Sequence, residues 1–305
     1  MTLGVMFHHF HNKLHKKSQG SISSTQLIKI INYLRKKYKI LSAQDYLYKT
    51  KTNQLKKNEI CLTFDDNLKS QIQIAYPVLK REKITAFFFI YTGIYKKKSK
   101  NYLEVFRDFR CTQYKNINNF YLDYFGVFDK MYNIDYKKFI NNFKSNYLKN
   151  YKFYNLDDRK YRFCRDKILE KKKFEKIMFK LMVKKKYNHY KVQKKLFMSK
   201  TDINKLIRDK NIIGLHSETH PANIYKLTFS QQYRDYKNNL NFFKKNLGYT
   251  SKSMSHPFGR YNLTTLKVLK KLKIDLGFLS ETKKLRNRSN LEINRLDHIE
   301  ILKKI

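Results

Sequence analysis

The chain has 305 residues, of which 41% are hydrophobic, so its composition is globular, allows a sizeable core and excludes a disordered chain. It carries 67 Lys and Arg against 24 Asp and Glu, a formal net charge of +43. An excess of this size suggests a polyanionic partner, but the basic residues are spread along the whole chain. We interpret the charge as a generic solvated surface, although an anionic glycan or a lipid-linked substrate could exploit its field.

The sequence also indicates a compartment. Three cysteines without a CxxC motif, Cys61, Cys111 and Cys164, argue against a disulfide framework and for a reducing environment. The N-terminal sequence MTLGVMFHHFHNKLHKK lacks the order of basic, apolar and small regions that marks a signal peptide. The longest apolar run, residues 84–94, is too short for a transmembrane segment. We therefore expect a cytoplasmic protein without a transmembrane segment.

The first third of the chain predicts strands and helices in alternation. In chain order these are an apolar run at 3–10 that ends in histidines, a helix at 23–40, a strand at 59–64, a helix at 68–82 kinked near Pro77, and a buried strand at 84–93. In the first of these helices Leu27, Ile30, Ile31 and Leu34 repeat at helical spacing.

The same alternation returns after residue 198. It predicts a helix at 199–210, a strand at 211–216, a helix at 228–248, a strand and turn at 251–259, a helix at 262–273, and strands at 274–280 and 291–301. Capping boxes begin two of these helices at Ser199 and Thr228, Asn262 caps a third, and Gly248 marks a helix end.

Strands that alternate with helices predict βαβ units and a mostly parallel sheet. The number of units favours an α/β fold of the barrel or partial-barrel type. Between residues 96 and 198 the rhythm stops, and residues 160–187 place Phe174, Ile177, Leu181 and Met182 on one helical face. We therefore predict a discontinuous barrel domain at 1–95 and 199–305, with a mainly helical insertion at 96–198.

Polar residues stand at the carboxyl ends of the predicted strands. They are His8 and His9, the pair Asp65 and Asp66, His216 with His220 four residues on, and the turn Pro257, Phe258 and Gly259. In α/β barrels the active site is built at this rim. The sequence thus predicts that these side chains converge.

Two histidines and one carboxylate form a standard ligand set for a catalytic divalent metal. His216 and His220 are close enough in sequence to share one ion, and Pro221 disfavours a helical arrangement of the pair. A second, adjacent carboxylate can act as the general base. The adjacent Asp65 and Asp66 would then divide the two roles between them.

These stretches resemble a known family. LTFDD, HSETHP and HPFGRYN are similar, in order, to the first three motifs of the polysaccharide deacetylases, the NodB-type carbohydrate esterases of family 4. The N-terminal GVMFHHF resembles the Tyr-His segment that opens many members. The resemblance covers about residues 1–95 and 199–300 and leaves the insertion outside. It implies a distorted, partial (β/α) barrel with a metal-dependent hydrolase site.

The resemblance assigns roles residue by residue. Asp65 looks like the catalytic base, and Asp66, His216 and His220 look like the metal ligands. Zinc is the default ion, with cobalt, manganese or nickel as alternatives. Metal-activated water would attack the acyl carbonyl of an N-acylated sugar, and a backbone N–H just after Pro257 would stabilise the oxyanion. Four residues of the third motif are the expected substrate contacts: Pro257, Phe258, Gly259 and Tyr261.

The sequence departs from the family pattern in three places. Where many members carry an arginine that holds the base, this chain has Ser255 or His256, and Arg295 in INRLD is the candidate replacement. The fourth motif, with its Asp and Trp, is not recognisable, since the chain has no Trp. The general acid is either His298, which fits the fifth motif, or His8, and the sequence leaves both open.

The first functional hypothesis is an N-deacetylase of cell-surface polysaccharide or lipopolysaccharide biosynthesis, acting on a sugar that is nucleotide- or lipid-linked. The second keeps the site but changes the bond, as in an O-deacetylase, a deformylase or another C–N amide hydrolase. The third is a catalytically silent basic protein that binds nucleic acid or anionic glycan. We expect the first, with no specific nucleic acid partner, because the retained metal-ligand set has no role in the third.

Overall fold

The computed structural model describes residues 3–96, 101–132, 143, 145–149, 154–280 and 289–305. The chain divides into two compact units. The first comprises Met1–His15, Ser21–Asn101 and Leu196–Ile305, and the second comprises Lys16–Gly20 and Tyr102–Lys195. The predicted boundaries of the insertion, at residues 96 and 198, stay a prediction.

The sheet of the first unit is nearly closed into a barrel. Its strands are β1 Leu3–Phe7, β2 Lys39–Ile40, β3 Glu59–Phe64, β4 Phe87–Ile90, β5 Ile212–Leu215, β6 Ser253–Ser255, β7 Leu276–Phe278 and β8 Asn294–Asp297. They pair in parallel in the order β7-β6-β5-β4-β3-β1-β8, and β2 also pairs with β3. A parallel bridge from Phe278 to Ile293 joins the two ends of this order. The predicted partial (β/α) barrel is confirmed.

Helices surround this sheet. In chain order they are Ser24–Arg35, Ala43–Lys51, Tyr76–Arg81, Lys200–Arg208, Phe229–Leu247, Leu263–Lys271 and His298–Leu302, with a π-helical turn at Gln71–Ala75. The capping boxes at Ser199 and Thr228 form as predicted, Asn262 caps its helix, and Gly248 ends another in the left-handed conformation. The predicted kink near Pro77 corresponds to the change from π-helix to α-helix just before it.

Alternation along the strands separates two apolar layers. Leu62 and Phe64 of β3 pack in the cluster that includes helix residues such as Leu27, so they face outward. Cys61 clusters with Phe87 and with other inward residues of the strands, so it lies inside the barrel. Because side chains of a strand alternate, the residues that continue the inward series beyond the strand ends meet at the carboxyl rim.

Two predicted elements are wrong in extent. The helix predicted at 23–40 ends at Arg35, and Lys39–Ile40 forms a short strand beside β3. The strand predicted at 291–301 ends at Asp297 and continues as the helix His298–Leu302. The reason is a helix cap, since the Asp297 side chain accepts a hydrogen bond from the Ile299 backbone N–H at 2.9 Å. The helix Ala43–Lys51 was not predicted.

The second unit is mainly helical in its described residues, as predicted. Its helices are Leu103–Gln113, Ile117–Tyr132, Leu156–Phe163, Lys171–Lys184 and His189–Leu196, with a π-helical turn at Cys164–Ile168. The predicted face of Phe174, Ile177, Leu181 and Met182 is buried. Throughout the ranges that the structure describes, every helix is too short or too polar to span a bilayer.

Candidate active site

The two adjacent aspartates face the same cleft because the backbone reverses between them. In an extended strand Asp65 and Asp66 would point to opposite faces. Instead Asp66 has φ 73° and Asn67 has φ 41°, both in the left-handed region that non-glycine residues rarely adopt. As a result both carboxylates lie near His8, whose Nε2 is 3.7 Å from Asp65 Oδ2 and 4.0 Å from Asp66 Oδ2. Strain of this kind is typical of functional sites.

Three donor atoms converge at this point. The Nε2 atoms of His216 and His220 are 3.1 Å apart, and each is 3.4 Å from Asp66 Oδ1. Asp66 Oδ1 is buried and has no hydrogen-bond partner among the described residues. A buried carboxylate oxygen without a donor is costly unless a cation lies beside it. Two imidazole nitrogens and this oxygen fit a divalent cation of the zinc type.

The backbone around the ligands fixes their orientation. His216 Nδ1 lies 2.9 Å from the Ser255 carbonyl oxygen, to which it can only donate, so Nε2 keeps its lone pair for a metal. The backbone N–H of His220 donates to Ser217 Oγ at 2.8 Å. Burial lowers the pKa of His220 to about 4. For His216 burial acts in the same direction, but the Asp66 and Asp65 carboxylates outweigh it and raise the pKa.

Asp65 is held by a buried arginine. Arg295 donates from Nη1 to Asp65 Oδ1 at 2.8 Å and from Nη2 to Oδ2 at 2.7 Å, and Ser255 Oγ donates to Oδ2 at 3.1 Å. Burial alone would raise the pKa of Asp65, but the charges of Arg295 and His216 hold it below its usual range. Arg295 thus stands where the third motif lacks its arginine, and its Nε is anchored on the Leu279 carbonyl.

Comparison with known proteins decides the family. The family model described as polysaccharide deacetylase matches residues 52–110 and 164–277, more than half of the chain. The chain belongs to the polysaccharide deacetylase family. It is therefore a hydrolase that deacetylates sugars, which confirms the predicted family and the predicted sugar N-deacetylase.

Solved structures share the fold of this deacetylase. It is similar to the deacetylase PplD of Streptococcus pyogenes, solved in complex with acetate, at 16% identity and TM-score 0.54, over 97% of this chain and 91% of that one. IcaB from Ammonifex degensii gives 14% identity and TM-score 0.58, over 99% and 98% of the two chains. A de-N-acetylase from Aggregatibacter actinomycetemcomitans gives 13% identity and TM-score 0.57, over 99% and 98%. A search of curated proteins gave no significant match.

Two residues of the deacetylase that the sequence reading missed hold the loop between the histidines. Asp235 accepts hydrogen bonds from the backbone N–H groups of Glu218 and Thr219 at 3.0 and 3.1 Å. Asn239 Oδ1 accepts from the His216 backbone N–H at 3.0 Å. Both lie on the buried face of the helix Phe229–Leu247, four residues apart. That spacing was the available signal, because polar residues on a buried helix face need partners.

The two candidates for the general acid have different surroundings. His8 lies beside both aspartates, and 27% of its side chain is exposed. His298 is buried, with Nδ1 3.1 Å from the Met6 carbonyl oxygen and 3.2 Å from Asp297 Oδ1, and its ring stacks on Phe7. The structure therefore brings His8, and not His298, into contact with the predicted base.

The third-motif residues also divide. Phe258, in the turn Pro257–Gly259, has φ 57° and places its ring 4.9 Å from that of His220. Tyr261 is turned to another partner, since its hydroxyl donates to Glu292 Oε1 at 2.8 Å and its ring lies 4.7 Å from that of His256. Phe258 is thus the predicted substrate contact whose side chain the structure brings against a metal ligand.

Proposed function

We propose that the chain is a metal-dependent N-deacetylase that acts on an N-acetylated aminosugar of a cell-surface polysaccharide or lipopolysaccharide. The sugar would be lipid- or nucleotide-linked when the enzyme meets it. One observation carries the proposal: the donor atoms of Asp66, His216 and His220 converge beside a second buried carboxylate, Asp65, that is ionised and fixed by Arg295. This is the arrangement that activates water against an acyl carbonyl.

The residues of the trio would hold the cation, with zinc first and cobalt, manganese or nickel as alternatives. When bound, such a cation supplies Lewis-acid activation of water and of the acyl carbonyl. The unpartnered Asp66 oxygen is the observation on this structure that supports the fit.

The chain's own residues would move the protons. Asp65 accepts a proton from the attacking water, and the Arg295 fork keeps its carboxylate ionised and oriented. The backbone N–H of Phe258, directly after Pro257, donates to the acyl oxygen as negative charge develops on it. His8, half-buried beside Asp65, delivers a proton to the leaving nitrogen. The hydroxyl of water ends on the acyl carbon and the C–N bond breaks, giving acetate and a free aminosugar.

The decisive experiment is the metal content of the purified protein by elemental mass spectrometry, before and after supply of zinc or cobalt. The wild type is compared with His216→Ala and with the control His189→Ala, whose histidine lies in the second unit. We expect about one divalent ion per chain in the wild type and control and none in His216→Ala. Absence of metal from the wild type after reconstitution would contradict the mechanism.

The bond is tested next, on the zinc-loaded enzyme. Release of acetate is compared with release of formate, and N-acetyl with O-acetyl sugars. We expect acetate from the N-acetyl substrate. A preference for esters or for formyl groups would instead support the second functional hypothesis.

A cytoplasmic location is part of the proposal. It is supported by the three free cysteines, of which Cys61 and Cys164 are buried and Cys111 is partly exposed. Cell fractionation of a tagged protein tests it, and recovery with an extracytoplasmic fraction would contradict it.

A further inference from the structure

Three apolar side chains stand exposed in two adjacent loops of the carboxyl rim. Phe258 is 41% exposed in the loop after β6, Leu263 is 76% exposed at the end of the same loop, and Tyr225 is 36% exposed in the loop after β5. Single exposed apolar residues are ordinary on a protein surface, but a connected group beside a catalytic site indicates a binding surface. We name these three residues the apolar ledge.

Hydrogen bonds fasten the two loops together. Arg260 Nη1 donates to the Ala222 carbonyl at 2.9 Å and to Asn223 Oδ1 at 3.0 Å. Asn262 Nδ2 donates to the Tyr225 carbonyl at 2.8 Å, while Asn262 Oδ1 caps the helix that begins at Leu263. The backbone that carries the ledge is therefore preorganised, which lowers the entropic cost of binding.

The ledge begins at the metal centre. The ring of Phe258 lies 4.9 Å from that of His220, and the guanidinium of Arg260 lies 5.9 Å from the Phe258 ring. Contacts thus run from a metal ligand through Phe258 and Arg260 to the loop of Tyr225. A molecule that reacts at the centre and extends in this direction must pass over the ledge.

The chemistry of the ledge favours a chain of sugar rings. Each ring has an apolar C–H face, which matches aromatic and aliphatic side chains, and a hydroxyl edge, which matches the polar groups of Arg260 and Asn223. An anionic ligand would need free cationic donors, whereas Arg260 Nη1 is already bonded to the Ala222 carbonyl and Asn223. The family's substrate is a polymer, so more than the reacting sugar must find a place.

From these contacts we propose that the apolar ledge binds the sugars that follow the reacting residue in an N-acetylated aminosugar polymer. This rests on the proposed function and adds a residue-level basis for preference for polymer over single sugar. Tyr225 and Leu263 lie outside the motifs and act in recognition, not in the chemistry.

Binding tests the ledge without turnover. In the Asp65→Asn background, calorimetry measures the affinity of N-acetylglucosamine oligomers of increasing length, up to six sugars, in the zinc-loaded protein. Tyr225→Ala and Leu263→Ala are compared with the control Tyr48→Ala. Tyr48 is 62% exposed on the helix Ala43–Lys51, whose Tyr46 closes the opposite end of the barrel against Cys61 and Phe87.

We expect affinity to rise with length in the background protein. Each ledge variant should weaken binding of the hexamer by about tenfold, the effect of one aromatic or apolar contact, while Tyr48→Ala has no effect. The turnover of the single sugar by variants that retain Asp65 should be unchanged. Affinity independent of length, no binding of any oligomer, or an equal loss in Tyr48→Ala would overturn the ledge.

Failure of the ledge and failure of the proposed function are distinguishable. If the zinc-loaded wild type releases acetate equally well from one sugar and from six, the ledge is wrong and the deacetylase stands. If no length yields acetate although the hexamer binds through Tyr225, the binding surface stands and the reaction is wrong.

Discussion

Each unit of the molecule buries an Arg–Asp pair, and the two pairs differ in what surrounds them. In the barrel unit Arg295 forms two hydrogen bonds of 2.7 and 2.8 Å to Asp65. In the helical unit Arg110 Nη1 lies 3.4 Å from Asp158 Oδ1. All four residues are at most 6% exposed. Burial and pairing alone therefore do not distinguish a catalytic carboxylate from a structural one.

The neighbours of each aspartate make the distinction. Asp158 receives hydrogen bonds from Tyr121 at 2.8 Å and Arg162 at 3.3 Å, and Arg110 lies 4.9 Å from the Tyr161 ring. This enclosure by donors and aromatic rings is typical of a structural core. Asp65 instead lies 3.7 Å from His8 and close to two imidazoles that converge on one point. A buried ion pair is weak evidence for stability, so its surroundings must indicate its role.

Replacing the two aspartates should give the largest contrast. Asp65→Asn removes the proton acceptor, and we expect acyl release to fall by about a thousandfold while metal content is retained. Asp158→Asn should leave the activity per folded molecule within about twofold, because its partners are structural, yet lower the free energy of unfolding by about 3 kcal/mol. The measurements are kcat and chemical denaturation. More than a tenth of wild-type activity in Asp65→Asn would exclude it as the base.

The residues at the rim could be predicted because their positions follow from strand alternation. Asp65 and His216 each come one residue after a buried strand, and in parallel strands such positions meet at one edge. The left-handed backbone of Asp66 could not be predicted, since no glycine marks it. The bond from Arg295 to Asp65 spans 230 positions of sequence, beyond any local pattern. Only the missing arginine of the third motif pointed to it.

Asp235 and Asn239 were predictable in principle. They share one face of a helix with Tyr236, Leu240 and Phe243, which are buried, so their polar groups had to find partners inside the protein. What the sequence could not give is the identity of those partners, the backbone N–H groups of residues 216, 218 and 219. Tertiary packing alone determines that match.

Replacing the two arginines by lysine should give a smaller contrast. Lysine keeps the charge but cannot form the two-pronged hydrogen bond that orients Asp65. We expect Arg295→Lys to lower kcat by about a hundredfold with little change in KM, because orientation and not binding is lost. Arg110→Lys should leave both constants unchanged. Equal kinetic effects of the two variants would mean that Arg295 is merely structural.

The smallest expected effect is a shift in the pH dependence of metal binding. The Asp66 and Asp65 carboxylates raise the pKa of His216 in the metal-free protein, against the effect of burial. A metal must displace that proton, so below the raised pKa the affinity for zinc should fall by up to about tenfold per pH unit. Asp65→Asn removes one of the charges that raise this pKa, so the fall should begin at a lower pH.

Asp158→Asn is the matched control, because its carboxylate lies in the other unit and is absent from the groups that act on His216. Competition titrations with a zinc chelator between about pH 5 and pH 8 measure the midpoint in the wild type and both variants. The charge lost in Asp65→Asn also weakens zinc binding at every pH, so the midpoint, and not the affinity at one pH, is the informative quantity. An unshifted midpoint in Asp65→Asn would show that Asp65 does not influence the ligand histidine and would reduce the contrast between the two pairs to geometry.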